Sequence, residues 1–248
     1  MVQVRYDSLR TQQHPIIRDL ATTLEMTWQN TLELSEFKPP QDLGYVEGTL
    51  EGERLIIENS CYQTPQFRKL HIELAKVGNN LDILHCVMFP RPAFHLPIFG
   101  LDIIANRVQI SAAIVDLSPV TPDRRLPAAY TSALDALPPM QFSQHRALPD
   151  WGNIFSDHCL FVRPNTLLEG QAFLTQASRY LNIHCQQAMA ARPSQSMDEQ
   201  ASLLARQRHY CLQQQKNDKT RRILERAFNK DWADHYLKTM LFDCLAEQ

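Results

Sequence analysis

Glu73 and His85 stand in the middle of two apolar runs, FRKLHIELAKV and LDILHCVMF, joined by Gly-Asn-Asn at 78 to 80. A titratable side chain in a strand normally faces water, so its place between apolar neighbours needs a reason. Opposed residues in an antiparallel hairpin have a constant sum of numbers, which turns loop positions into contacts. With Gly78, Asn79 and Asn80 as the loop, Glu73 faces His85 and His71 faces Val87. Taking Pro90 to Pro97 as the next connection sets His85 opposite Asp102, and Asn106-Arg107 as a two-residue turn sets Asp102 opposite Ser111. Four strands thereby contribute one transverse polar row: Glu73, His85, Asp102, Ser111.

The neighbours of that row on the same face are Ala75, Ile83, Val87, Gly100, Ile104 and Ala113, which are apolar and often small. Two readings stay open: a satisfied polar network inside a core, or the floor of a site for a flat apolar ligand. In the second, burial raises the carboxyl pKa values and lowers that of histidine, bringing Glu73, Asp102 and His85 toward one another and toward neutral pH. Groups coupled in this way suit proton donation. A third arrangement uses the same side chains, since His71 and His85 with a carboxylate could hold an iron-type metal. A nucleophilic triad is disfavoured, because no serine or cysteine sits on a strand-turn-helix elbow.

Positioning such a row requires a sheet. Residues 13 to 33 are apolar at helical spacing through Ile16, Ile17, Leu20, Leu24 and Trp28, with Pro39-Pro40 beyond their end. From 45 to 116 six strand-like runs follow one another with short loops, which predicts a six-stranded antiparallel meander. Helical patterns return at about 128 to 137, 165 to 191 and 198 to 245, the last interrupted around Lys216 to Lys219 and Asn229 to Asp231. Leu70, Ile72 and Leu74 point to one side of the third strand and Ala75 and Val77 to the other, so both faces need cover. The expected fold is a three-layer α/β/α sandwich in one domain over residues 1–248.

Composition narrows the function classes. Charged residues make up 21% and the formal net charge is −2, which gives no global pull toward nucleic acid or a membrane. No run approaches the ~20 apolar residues needed to span a bilayer, and the N-terminus lacks a leader pattern, so a cytoplasmic protein is expected. The six cysteines lie at least 25 residues apart without a C-x-x-C pair, which argues against zinc, iron-sulfur and redox dithiol sites. The glycines of GYVEGTLEG form neither a dinucleotide fingerprint nor a phosphate loop.

The stretch GYVEGTLEGERLIIENSCYQTPQFRKLHIELAKVGNNLDILHCVMFP resembles the ferredoxin-dependent bilin reductases, and the likeness continues through ISAAIVDLSP, LPDWGNIFSDHC and QQQKNDKTRRILERAF. It covers nearly the whole chain from about residue 14. The resemblance implies an α/β/α sandwich that holds biliverdin IXα between the sheet and the C-terminal helices. It implies a four-electron reduction to phycocyanobilin, with single electrons from reduced ferredoxin and no metal, flavin or nicotinamide of its own.

By the same resemblance Glu73 protonates the D-ring vinyl group, Asp102 and His85 handle the pyrrole protons and the A ring, and His71 joins the relay. The histidine and glutamate together mark the phycocyanobilin-forming members. Arg146 and Lys219, which residue type alone allows as an ordinary loop cation and part of a helix cap, would lie near a propionate. Asn217 would sit beside the tetrapyrrole and Trp151 close to the pocket. Arg221, Arg222 and Arg226 belong to a basic stretch suited to an acidic ferredoxin. A monomer is expected. A bilin or haem carrier could use the same pocket, but it would not need acids in a row.

Overall fold

The computed structural model describes residues 8–121 and 123–244. β2 (Tyr45–Leu50) turns into β3 (Glu53–Gln63) through Glu51 and Gly52. Both have positive φ, 53° and 83°, the mirror-image turn whose twist suits a hairpin. β4 (Phe67–Val77), β5 (Leu81–Pro90), β6 (Ile98–Ala105) and β7 (Ile110–Ser118) continue the meander. Two short strands extend the expected six to eight: β1 (Ser35–Glu36) pairs with β3, and β8 (Leu160–Val162) pairs with β7. Segments of two and three residues carry no period of their own, so they left no pattern to read.

The helices fall close to their expected places: α1 (Pro15–Thr31), α2 (Ala128–Asp135), α3 (Leu167–Ala190), α4 (Met197–Gln214), α5 (Asp218–Ala227) and α6 (Lys230–Tyr236). Their starts are written in cap residues: Thr166, Ser196, Asn217 and Asn229 each accept from a backbone N–H of the first turn. A π-type turn, Leu237–Leu241, ends the described helical structure, and the expected helix end at 245 lies outside the described residues.

β4 is buried at every position except Lys76, as a strand covered on both faces must be. On one face α1, α2 and α3 pack Leu20, Trp28, Tyr130, Phe173 and Leu181 against Leu70, Ile72 and Leu74. On the other, α4, α5 and α6 bring Leu203, Cys211, Leu224 and Tyr236 toward Ile57, Ala75, Val77 and Val87.

The registers of β4 on β5 and β5 on β6 are those expected, with Glu73 opposite His85, His71 opposite Val87 and His85 opposite Asp102. The β6–β7 register is not. Asp102 faces Ile114 instead of Ser111. The Asn106 side chain accepts from Val108 N and Gln109 N, both at 2.9 Å, and so builds a four-residue turn in place of the two-residue one. Ile104 then faces Ala112 while Ala105 faces Ile110, leaving Ser111 as a bulge with no partner. An odd shift exchanges faces, so Ala113 turns into the α1–α3 core, and Ala112 and Ile114 take its expected place.

Candidate active site

Opposed residues on successive strands share a face, and the row actually formed is Asn59, Glu73, His85, Asp102, Ile114. Glu73, His85, Asp102 and Ile114 of this row cross the floor of a cleft of about 620 Å³ between the sheet and the C-terminal helices. That volume lies within the ~300–1,000 Å³ typical of small-molecule sites. Ala75, Ile83, Ile104 and Ala112 flank the row, and Ile223, Leu241 and Phe242 form an apolar roof.

His85 Nδ1 lies 2.7 Å from Asp102 Oδ1, and its Nε2 is buried without a hydrogen-bond partner. Glu73 Oε2 accepts from the Tyr236 hydroxyl at 2.5 Å. The same hydroxyl lies 3.0 Å from Asn59 Oδ1, which is also 2.7 Å from His71 Nε2. Asn59 Nδ2 donates to Leu43 O at 2.7 Å, which fixes the amide with its oxygen toward His71 and Tyr236.

Burial raises the pKa of Glu73, more than the charge of His85 and the Tyr236 hydrogen bond lower it. Burial likewise holds His71 well below the ordinary imidazole value, helped by the Lys69 and His85 charges. His85 departs from the sequence expectation. Burial is its strongest single influence and pushes it down, yet the charge and hydrogen bond of Asp102, joined by the charge of Glu73, carry it above its usual value. Asp102 reaches His85 from the open side of the cleft, where its side chain keeps 44% exposure. The floor therefore holds a buried acid with a raised pKa beside an imidazole whose protonated form is favoured, which is equipment for proton transfer.

Two polar pegs tie down segments that border this cleft. Arg68 and Lys69 both reach the Asp243 carboxylate, and Lys69 Nζ also donates to Met240 O at 2.7 Å, which ties down the segment carrying Leu241 and Phe242. At the other end Asp116 accepts from Ser118 Oγ at 2.6 Å and from Ser156 Oγ at 2.5 Å. This second peg anchors the loop that brings Trp151 and Phe155 to the cleft.

Ser111, Arg146, Trp151, Asn217 and Lys219 all line the cleft. Ser111 Oγ donates to Ile104 O at 3.1 Å, and Arg146 Nη1 donates to Ser111 O at 2.7 Å with its guanidinium over the Phe161 ring. Asn217 is the α5 cap as well as a wall residue, accepting from Lys219 N at 3.2 Å. Arg146, Lys216 and Lys219 form a rim on which, among the described residues, no carboxylate pairs with them. The three arginines of the basic stretch are different. Arg221 is paired with Asp234, Arg222 with Asp218 at 3.2 Å, and Arg226 with Glu51 at 3.2 Å.

Asn59, Tyr236, Phe155 and Phe242 were missed from sequence. The constant sum across the 63–66 loop would have set Ile56 opposite Glu73, whereas the pairing formed is Asn59 with Glu73. Tyr236 comes from a helix 163 residues away in the chain, and nothing local announces that contact. Among the described residues no three His, Cys, Asp or Glu side chains are grouped to hold a metal ion, and no helix is long and apolar enough to cross a membrane.

The model for the ferredoxin-dependent bilin reductase family matches residues 21–243. A phycocyanobilin:ferredoxin oxidoreductase of Trichodesmium erythraeum is 55% identical over 243 residues, covering 98% of this chain and 99% of the relative. One of a Synechococcus species is 58% identical over 236 residues, covering 95% of each. The fold matches tomato phytochromobilin synthase, solved in complex with biliverdin, with a TM-score of 0.75 over 93% of this chain and 85% of that one at 14% identity. A sheet with an acid and an imidazole on its cleft face thus sits inside a full-length match, and the chain belongs to the ferredoxin-dependent bilin reductase family.

Proposed function

We propose that this chain, as one cytoplasmic domain acting as a monomer, reduces biliverdin IXα to phycocyanobilin. The reduction takes four electrons, delivered singly by reduced ferredoxin, and four protons. The observation that carries this reading is the row Glu73, His85, Asp102 on the floor of an apolar cleft, in a chain alike over almost its full length to proteins of that activity.

Glu73, whose pKa burial raises, gives its proton to the D-ring vinyl group, where an ionised carboxylate would have none to give. Asp102 and His85 face the pyrrole nitrogens and the A ring, trading protons through their 2.7 Å contact as each electron makes the pigment more basic. His71, whose ring centre is 6.0 Å from that of His85, serves the relay through His85. The rim cations Arg146 and Lys219, with Ser111, suit the two propionates, while Asn217 and Trp151 bound the tetrapyrrole. Ferredoxin supplies the electrons without a cofactor held by this chain, and the arginines at 221, 222 and 226 contribute to its docking face.

Anaerobic turnover with biliverdin and reduced ferredoxin, with chromatography of the product, tests the reading. Phycocyanobilin is the expected product. Unchanged biliverdin would make the chain a carrier, and a two-electron product would make it a different reductase.

A further inference from the structure

Glu73 presents two oxygens, and their surroundings differ. Oε2 is held by Tyr236, whereas Oε1 has no hydrogen-bond partner among the described residues on a side chain that lines the cleft. Tyr236 is itself packed in: it is fully buried, and its ring stacks at 4.9 Å and 11° on Trp232, which stacks in turn on Phe228. Phe228 lies against Gly48 of β2, where any side chain would collide with its ring.

The donor count constrains what the hydroxyl can do. Asn59 Oδ1 only accepts, and its amide is fixed by Leu43 O. His71 Nε2 must therefore be the donor in its 2.7 Å contact with Asn59. Tyr236 has one proton and two acceptors in reach, Glu73 Oε2 at 2.5 Å and Asn59 Oδ1 at 3.0 Å. An amide carbonyl has no proton to pass on. The chain His71, Asn59, Tyr236, Glu73 holds geometry and cannot conduct protons from His71 to Glu73.

We propose that Tyr236 is the positioning residue for Glu73: its hydroxyl pins Oε2 so that Oε1 and its proton face the cleft, and it stabilises the carboxylate left once that proton has moved to substrate. Asn59 Oδ1, 3.0 Å away on the far side, is the competing acceptor for that one proton, and the shorter contact goes to Glu73. The proton that Glu73 loses is restored from the cleft, where His85 and Asp102 stand. This inference rests on the reading of Glu73 as a proton donor.

The other groups facing Glu73 are His85 from β5, Asp102 from β6 and Asn59 from β3, with His71 and Lys69 along its own strand. They are unchanged in Tyr236→Phe, so that variant isolates the hydroxyl. The carboxyl of Glu73 is titrated by infrared difference spectroscopy against Glu73→Gln in the purified full chain, without turnover. Loss of a hydrogen bond to the charged form is expected to raise the Glu73 pKa by about one unit, equivalent to about tenfold in acidity. D-ring reduction should slow by about tenfold while its alkaline limb moves to higher pH and biliverdin affinity is kept. A merely structural role would not couple a slower rate to a displaced limb.

Replacement of Tyr236 by 3-fluorotyrosine keeps the shape and strengthens the donor, so it should move the Glu73 pKa the opposite way, downward. This variant decides the matter if the phenylalanine one does not fold. Identical Glu73 titration in the wild-type and fluorotyrosine proteins overturns the proposal. Failure of the wild-type chain to reduce biliverdin would instead remove the functional reading, and the titration result would stand apart from it.

Discussion

His184 and His85 are both buried, on opposite faces of one sheet, and their imidazoles move in opposite directions. His184, in α3, has its Nδ1 2.9 Å from the Tyr130 hydroxyl and stacks on Phe99 at 6.2 Å. With no charge beside it, burial pushes its pKa down to about 3. His85 suffers burial as well, but Asp102 at 2.7 Å and Glu73 across the strand pair hold it above its usual value. Burial alone lowers a histidine's pKa; a carboxylate at hydrogen-bond distance reverses the direction. The difference extends to the layers. α1 and α3 close down on the sheet, whereas on the other face the Asp243 peg ties the C-terminal segment to β4, the Asp116 peg ties the Trp151 loop to β7, and a cleft is left between.

The largest expected effect is on the cleft face. Glu73→Gln should bind biliverdin normally and slow D-ring reduction by about 10²–10⁴-fold, read by single-turnover absorption, because the amide keeps the shape without the proton. Normal phycocyanobilin formation by this variant would erase the chemical distinction between the two faces. On the closed face, Phe173→Ala should cost about 3–5 kcal/mol in denaturant unfolding while the folded fraction turns over normally. A comparable stability loss from Ile223→Ala, which borders the cleft, would show that the roof is as tightly packed as the core.

Titration separates the faces again. The unfolded chain protonates His184 at about 6.5 and the folded chain only near 3, so stability contributed by the neutral ring is lost as pH falls through that window. The expected slope from this group is up to about 1.4 kcal/mol per pH unit, measured by urea unfolding against pH. Turnover has the opposite sense. Glu73 and His85 both carry raised pKa values and act protonated, so the rate should fall on the alkaline side as they lose their protons. An alkaline limb unchanged in both Glu73→Gln and His85→Gln would place the limiting proton elsewhere.

The smallest effect is expected at the surface. Arg222 and Arg226 are exposed and already paired, so charge reversal should slow turnover at subsaturating ferredoxin by only about threefold at low salt. Biliverdin affinity should not change. A much larger loss would make these residues the principal dock.

The α/β/α layering and the first two hairpin registers were legible because strands β4 to β6 are long and parted by clear breakers. The third register failed at Asn106, whose side chain builds a longer turn, and at the Ser111 bulge; neither has a periodic signature. Glu73, His85 and Asp102 were brought together by register, whereas the same arithmetic across the 63–66 loop points to Ile56 and misses Asn59. Tyr236 and the Asp243 peg were not legible, since they join the last helices to the sheet across more than 160 residues. The sign of the His85 shift was also beyond sequence, because it depends on one short distance.

In the proposed reduction, the cleft face couples single-electron arrival to proton transfer through Asp102 and His85. Anaerobic electron paramagnetic resonance of Asp102→Asn with bound biliverdin, recorded with absorption as reduced ferredoxin is added, tests it most directly. Asparagine keeps the size and a hydrogen-bonding oxygen but cannot cycle a proton, so an organic bilin radical should accumulate and phycocyanobilin should fail to form. Normal phycocyanobilin output with no accumulated radical would contradict the account.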